Sequence, residues 1–258
     1  MKLGIIQGRL LEPVSGKIQE FPEDWKLEFE IASRSDIQHI EWLVTKDSFD
    51  NNPIFYEDCS SYNISSICAD NLVDERFVSK DFLDKNLDPI CSAALRQNIG
   101  FITIPLLEDS DITDKDSRNK FTEHILEYGN KYPTLNFSFE AETHWDNILE
   151  LVNLRDNFWI TYDTGNITSE GFSHEKYIEA THNKINNVHL KDRTHDGQTV
   201  TPLAGDTDFL TIFNTLRKVK YDGLYTLQTA RGSCGAEKET IANHKTLFEG
   251  INNNEKNN

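Results

Sequence analysis

Short apolar runs rich in β-branched and aromatic residues recur along the whole chain, and each run predicts a β-strand. They are spaced by roughly 25 to 40 residues, which fits one strand, one helix and two loops. In chain order the eight runs are KLGIIQ from Lys2, IQHIEWLV from Ile37, ISSICAD from Ile64, FITIPLL from Phe101, LNFSFEAE from Leu135, FWITYD from Phe158, NNVHLKD from Asn186 and LYTLQTA from Leu224.

The segments between these runs carry helical periodicity. After Asp208, apolar residues recur at the spacing of one helix face, and Asp208 is suited to cap that helix. Trp25, Phe29 and Ala32 form a similar stripe behind the first run. Pro89 falls within the helical segment 81–98 and predicts a kink or two separate pieces there.

Eight βα units in one chain predict an α/β fold with a single (β/α)8 TIM barrel. The alternative is a doubly wound sheet, which usually has a glycine-rich turn after its first strand, whereas QGRLLEP follows here. No linker interrupts residues 1–250, so we predict one barrel domain over that range. The polar segment INNNEKNN, residues 251–258, is predicted to be a disordered tail.

Composition narrows the function classes. The 258 residues include 26 Lys and Arg against 43 Asp and Glu, a net charge of −17 that disfavours nucleic acid as a partner. No apolar run is long enough to span a bilayer, and Arg9 comes too early for a signal peptide. Four cysteines without paired spacing predict reduced thiols, so we expect a cytoplasmic protein.

Polar side chains stand where four consecutive apolar runs end. Because the carboxyl ends of barrel strands meet at the active-site mouth, these side chains are expected to converge. Two carboxylates, an imidazole and an amide oxygen suit one divalent cation, with Mn²⁺, Mg²⁺ or Co²⁺ favoured and Zn²⁺ an alternative. Each residue alone has an ordinary explanation, so the prediction depends on the set: Glu140, Asp163, His189 and Gln228.

Cations also follow the strands, which suggests a local positive region in an acidic protein. Arg193 and Arg231 are suited to a phosphate or carboxylate, because a guanidinium can grip such groups with two hydrogen bonds. Solvated charge or ordinary ion pairing is the alternative, above all for Lys46 and Lys191. The predicted substrate-binding residues are Arg9, Lys191, Arg193 and Arg231, together with Glu142.

Several motifs resemble the sugar phosphate isomerase/epimerase branch of the xylose-isomerase-like TIM barrels. They are YDTGN at 162–166, NVHLKDR at 187–193, GDTDF at 205–209 and GLYTLQTAR at 223–231. The opening KLGIIQGRL and the HIEWLV and SICAD runs are also similar to that branch. The resemblance implies that Glu140, Asp163, His189 and Gln228 hold a divalent cation.

The resemblance also implies a reaction through an enediolate, with one group removing the proton next to a carbonyl and another returning it. Related epimerases use two glutamates, one of them on the eighth strand, where this chain has Gln228. An amide cannot transfer that proton. Either Glu140 works with another acid such as Glu41, or the enzyme catalyses an isomerisation or dehydration, or the barrel binds without turnover. The alternative role of Glu41 is a structural hydrogen bond inside the barrel.

The predicted function is a divalent-metal-dependent isomerase or epimerase of a sugar or sugar phosphate. A dehydratase or lyase acting on a keto acid or polyol is the first alternative, and a non-catalytic sugar-binding barrel is the second. A hydrolase of the apurinic endonuclease type is disfavoured by the net charge and by the absence of histidine in CADNLVD. A homo-oligomer remains an expectation without an assigned interface.

Overall fold

The computed structural model describes residues 1–253 and contains a closed parallel barrel. The predicted single (β/α)8 TIM barrel is confirmed, with each apolar run supplying one strand. The order around the barrel is β1-β10-β7-β6-β5-β4-β3-β2. The barrel strands are β1 Lys2–Ile6, β2 Ile40–Leu43, β3 Ile64–Cys68, β4 Phe101–Leu106, β5 Asn136–Ala141, β6 Phe158–Asp163, β7 Ile185–Leu190 and β10 Leu224–Leu227.

Helices surround the barrel, and their ends follow the signals seen in the sequence. Asp208 caps its helix by accepting the backbone N–H of Thr211, and Pro89 lies in the first turn of a new helix that begins at Asp88. Between β2 and β3 the chain makes two short 3₁₀ turns in place of an α-helix. The helices are α1 Trp25–Arg34, α2 Lys80–Asn86, α3 Asp88–Arg96, α4 Lys115–Lys131, α5 Trp145–Val152, α6 Thr164–Ser169, α7 His174–Thr181, α8 Phe209–Lys218 and α9 Glu237–Asn253.

The last helix corrects the predicted tail. Residues 251–253 are helical because Ile251 packs against the hydrophobic core and Arg217 donates a hydrogen bond to the Asn252 carbonyl. The boundary predicted at Gly250 is therefore wrong. Residues 254–258 of the predicted tail lie outside the described part of the chain.

The hydrophobic core lies mainly between the strands and the surrounding helices. Inside the barrel a separate small cluster consists of Ile6, Leu43 and Cys68. The rest of the barrel interior is strongly polar. Thr226 donates to the side-chain carbonyl of Asn187 at 3.0 Å, and Asn187 donates to Glu41 at 3.2 Å. Buried polar groups of this kind are stable only when they are hydrogen-bonded to one another.

A hairpin projects from the end of β7. Its strands are β8 Asp192–Arg193 and β9 Thr199–Val200, and Thr199 reaches the barrel mouth. The buried Asp192 carboxylate accepts backbone N–H groups of Gly205 and Thr207 at 3.0 and 3.2 Å, which fixes the base of this hairpin. The long loop predicted after Arg193 is thus partly a folded hairpin.

Two further predictions concern the whole chain. All four cysteines lie within the described range and are free thiols, with Cys59, Cys68 and Cys91 buried and Cys234 exposed. Within residues 1–253, none of the helices is long and apolar enough to cross a membrane.

Candidate active site

Three buried side chains meet at the carboxyl ends of neighbouring strands. Glu140 extends from β5, Asp163 ends β6, and His189 stands on β7. Each offers one potential ligand atom, and these atoms lie within 4.8 Å of one another. The register pairs Asp163 directly with His189, so adjacent parallel strands bring the two to the same level. We call Glu140, Asp163 and His189 the floor cluster.

A cavity of about 530 Å³ opens above this cluster at the barrel mouth. Of the predicted site residues, the cavity is lined by Arg9, Glu140, Lys191, Arg193 and Gln228. Asp163 and His189 lie beneath it, together with Glu41. The sequence therefore singled out five of the polar residues that line this cavity.

Two predicted substrate-binding residues do not line the cavity. Glu142 is paired with Arg193 at 2.5 Å, away from the floor cluster. Arg231 donates to the Gly8 carbonyl at 2.6 Å and to Leu11, so it braces the loop after β1. Direct contact of Arg231 or Glu142 with a ligand in this cavity is not supported by these positions.

Glu41 occupies a different place from the one predicted. It is fully buried behind His189, where its Oε2 lies 2.7 Å from His189 Nε2. Thr103 and Asn187 also donate hydrogen bonds to the Glu41 carboxylate. Glu41 does not line the cavity, and proton transfer by Glu41 stays a prediction. Its alternative role, a structural hydrogen bond, fits: Glu41 orients the imidazole of His189.

The two carboxylates beside His189 control its charge. Burial opposes a charged imidazole, but Glu41 and Glu140 together outweigh this effect and raise the pKa of His189. Burial likewise opposes the Glu140 carboxylate, yet His189 and Lys191 lower the pKa of Glu140. The floor cluster therefore holds charged groups that compensate one another in an environment with little water.

Lys191 lies among the oxygen atoms of this region. Its Nζ is 2.8 Å from Asp163 Oδ2, 3.2 Å from Gln228 Oε1 and 4.0 Å from Glu140 Oε1. The sequence analysis predicted that Lys191 binds the substrate. The structure instead directs its ammonium toward three of the four predicted metal ligands.

Asn166 is a site residue that the sequence analysis did not single out. Its backbone N–H donates to Asp163 Oδ1 at 2.8 Å, and its side-chain amide donates to Glu140 Oε1 at 3.0 Å. Asn166 thus fixes two members of the floor cluster at once. Its position in the YDTGN motif, one turn after Asp163, was the available signal.

Asp70 is a second residue that was missed. It follows β3 and lines the cavity. Burial, then the charges of Glu140 and Glu108, raise the pKa of Asp70 to about 6. A carboxyl group with such a pKa can both hold and release a proton near neutrality. The signal in the sequence was its position at the end of the SICAD run.

Comparisons with known proteins agree with this architecture. A model of the xylose isomerase-like TIM barrel family matches residues 125–249. The predicted resemblance to the xylose isomerase-like TIM barrels is confirmed. Membership of the sugar phosphate isomerase/epimerase branch stays a prediction. The comparison with curated proteins finds no match.

Several solved structures superpose over nearly the whole chain. The IolI protein with a bound zinc atom is 15% identical, with a TM-score of 0.76 over 98% of this chain and 99% of that one. A D-tagatose 3-epimerase-like protein is 15% identical, with a TM-score of 0.70 over 98% and 99%. D-psicose 3-epimerase from Clostridium cellulolyticum H10, with D-tagatose, is 15% identical, with a TM-score of 0.64 over 98% and 96%. At these identities the likeness establishes the fold.

The donor set at the mouth of this barrel fits a divalent cation. His189 Nδ1 is buried and makes no well-aligned hydrogen bond, although Glu140 Oε2 lies 3.2 Å away. Asp163 Oδ2 is also buried without a well-aligned hydrogen bond, since Lys191 approaches it only as an ion pair. Buried polar atoms without aligned partners are uncommon, and both belong to the floor cluster.

Proposed function

We propose that this protein is a divalent-metal-dependent isomerase or epimerase of a small ketose or its phosphate. The observation that carries the proposal is the buried floor cluster beneath a cavity of about 530 Å³. That volume is typical of sites for small molecules. The names of the similar structures, which include D-tagatose and D-psicose epimerases, support ketohexoses as the first compounds to test.

Glu140, Asp163 and His189 would hold the cation, with the side-chain oxygen of Gln228 as a further donor. A bound divalent cation would polarise a substrate carbonyl and so favour loss of the adjacent proton. Mn²⁺, Mg²⁺ and Co²⁺ suit the oxygen-rich set, and Zn²⁺ remains an alternative.

Two carboxyl groups that reach the cavity are suited to proton transfer. Glu140 enters from β5 and Asp70 from the end of β3, so the pair approaches a ligand from separate strands. We assign Glu140 as the general base and Asp70 as the group that returns the proton. Asp70 replaces Glu41 in this role because Glu41 is buried behind His189. Gln228 orients a ligand but transfers no proton.

Arg9 supports an anionic substrate group. Its guanidinium is directed to neutral acceptors, and burial followed by the charge of Arg231 lowers its pKa to about 9. Arg9 therefore remains charged at neutral pH, whereas Arg193 is already paired with Glu142. The acceptors of Arg9 are the carbonyls of Thr229 and Ile18 and the side chain of Gln19. A phosphate or carboxylate at this position would gain a strong, directional contact.

Solvent deuterium exchange tests the proposal. Ketohexoses and their phosphates are incubated in D₂O with the protein and each cation in turn, and proton NMR follows the position next to the carbonyl. We expect exchange with one group of ketoses, abolished in Glu140→Gln. Asp47→Asn is the matched control, because Asp47 also lines the cavity but is exposed and paired with Lys17, away from the floor cluster and Asp70. Exchange that persists in Glu140→Gln would contradict the assignment of the base.

A second candidate function follows from Gln228, which stands where a related epimerase has a glutamate. A dehydratase or lyase would convert a polyol or keto acid in the same NMR screen, with a new carbonyl product. A binding barrel would hold sugar without any exchange or conversion. The cytoplasmic location is part of this proposal and is supported by the buried free thiols.

A further inference from the structure

The ammonium group of Lys191 stands where a cation of the floor cluster would be expected. Lys191 Nζ lies 2.8 Å from Asp163 Oδ2, 3.2 Å from Gln228 Oε1 and 4.0 Å from Glu140 Oε1. Asn166 already satisfies the other oxygen of Asp163, so Oδ2 is the one left for a cation. Lys191 lines the cavity, whereas Asp163 is buried and does not line it. A metal entering from the mouth therefore meets Lys191 first.

The local structure is built to hold Lys191 in this position. The hydroxyl of Thr164 donates to the Lys191 carbonyl at 2.6 Å and accepts its N–H at 2.9 Å, which fixes the backbone. Gly165 leaves room for the side chain: a Cβ there would lie 3.1 Å from Lys191 Cγ and 3.3 Å from Cε. The Lys191 side chain is only 8% exposed, so its ammonium group contacts protein oxygen atoms and is largely shielded from water.

The charges of the region fit one cation at a time. Glu41 and His189 compensate each other behind the cluster, Glu140 and Asp163 supply the carboxylates that face Lys191, and Gln228 adds a neutral oxygen at the place where an acid would add another negative charge. An ammonium and a divalent ion that contacted the same carboxylate oxygens would repel each other strongly in this buried setting. Two such cations cannot share Asp163 Oδ2 and its surroundings.

We infer that Lys191 is the built-in cation of the floor cluster and that it competes with a divalent metal for the same oxygen atoms. Metal entry expels the ammonium from Asp163 toward the cavity. The apparent affinity for metal is then reduced by the fraction of molecules in which Lys191 holds the site. This inference rests on the metal site of the proposed function and adds a residue that regulates its occupancy.

Calorimetric titration of metal-stripped protein with Mn²⁺ tests the competition. Lys191→Met keeps the length of the side chain and removes its charge, so we expect binding on the order of tenfold tighter than in the natural protein. Lys46→Met is the matched control. Lys46 is another cation of the cavity wall, but it is paired with Asp74 at 3.7 Å and is exposed. We expect this control to change the affinity by less than about twofold.

A second variant displaces Lys191 without changing any charge. Gly165→Ala introduces a Cβ 3.1 Å from the Cγ atoms of both Lys191 and Arg193, so both side chains must shift by a few tenths of an ångström. The backbone of Gly165 is not in the left-handed region, so its helical conformation accepts alanine. We expect it to tighten Mn²⁺ binding severalfold. This variant decides the question if Lys191→Met does not fold.

The outcomes separate the inference from the proposed function. Equal Mn²⁺ affinity in the natural protein, Lys191→Met and Gly165→Ala would overturn the competition and leave the metal site intact. Weaker binding in the folded variants would show that Lys191 assists the metal, and it too would overturn the inference. No binding by any of the three would overturn both the inference and the metal-dependent function.

Discussion

The two halves of the barrel interior differ sharply. On the side of β1, β2 and β3 the interior holds the apolar cluster Ile6, Leu43 and Cys68, and the charged group from these strands that reaches across is Glu41 of β2, which contacts His189. On the side of β5, β6, β7 and β10 it is filled with charged and polar groups that lead to the floor cluster. The comparison shows how one barrel can carry reactive groups: the apolar side provides rigid packing, and the polar side is stable because its groups compensate one another.

The largest expected effect is on Mn²⁺ affinity, when a charged ligand on the polar side is replaced. Asp163→Asn keeps the shape of the side chain but removes the charge that attracts Lys191 or a metal. Because loss of a supporting group near a metal typically costs about 10- to 100-fold in affinity, we expect loss of a ligand to weaken Mn²⁺ binding by more than about 100-fold.

Calorimetry measures this change in binding. Asp47→Asn is the control, since Asp47 is an exposed carboxylate of the same cavity. Mn²⁺ binding by Asp163→Asn at the natural affinity would remove Asp163 from the site.

On the apolar side, Leu43→Ala should act on stability and not on binding. Leu43 is fully buried, so its truncation leaves a cavity that costs about 2 to 5 kcal/mol of unfolding free energy. Chemical denaturation monitors the loss, and calorimetry should show unchanged Mn²⁺ affinity in the folded variant. A large change in affinity would mean that the two halves are coupled.

Glu28 is a buried carboxylate outside the floor cluster, and it should make the unfolding free energy depend on pH. Burial raises its pKa from 4.5 to about 7, against the effect of hydrogen bonds from the Gly8 and Leu10 N–H groups. Because the folded-state pKa is raised, the stability that this group contributes is complete below about pH 4.5 and is lost as the pH rises through about 7.

Relative to Glu28→Gln, the natural protein should lose up to about 3 kcal/mol of unfolding free energy between pH 4.5 and pH 8. Denaturation curves of both proteins at several pH values give this difference. If the difference does not vary with pH, Glu28 does not titrate in this range.

The smallest of the four effects is expected at Glu41, which lies behind the floor cluster. Glu41→Gln keeps a hydrogen-bonding group next to His189 but removes the charge that fixes the orientation of the imidazole. We expect Mn²⁺ binding to weaken by about 10-fold, at the lower end of the range for such supporting groups. Unchanged binding would limit Glu41 to stability, which denaturation of the same variant would reveal.

The barrel and its floor cluster could be predicted because both depend on local patterns. Each βα unit is recognisable by its own apolar run, and the order of strands follows from simple right-handed crossovers. Glu140, Asp163 and His189 each end or interrupt such a run, and parallel strands place these positions at one level. The sequence thus sufficed wherever the position along a strand determined the position in space.

The remaining site residues depend on contacts between distant segments. Alternation along β2 shows that Glu41 points into the barrel, but not that His189 covers it. Arg231 and Glu142 stand in loops, where their partners decide their direction. The orientation of Lys191 depends on Thr164 and Gly165, and no spacing rule within NVHLKDR predicts that contact.

The carboxylate of Asp192 has a consequence for protein engineering. By binding the N–H groups of Gly205 and Thr207, it closes the root of the hairpin independently of the residues at the tip. Doubling the length of a loop with fixed ends costs only about 0.6 kcal/mol, so we expect residues 194–198, between β8 and β9, to accept insertions. Libraries of such insertions, with Asp192 and Gly205 kept, would vary the cavity rim without disturbing the barrel.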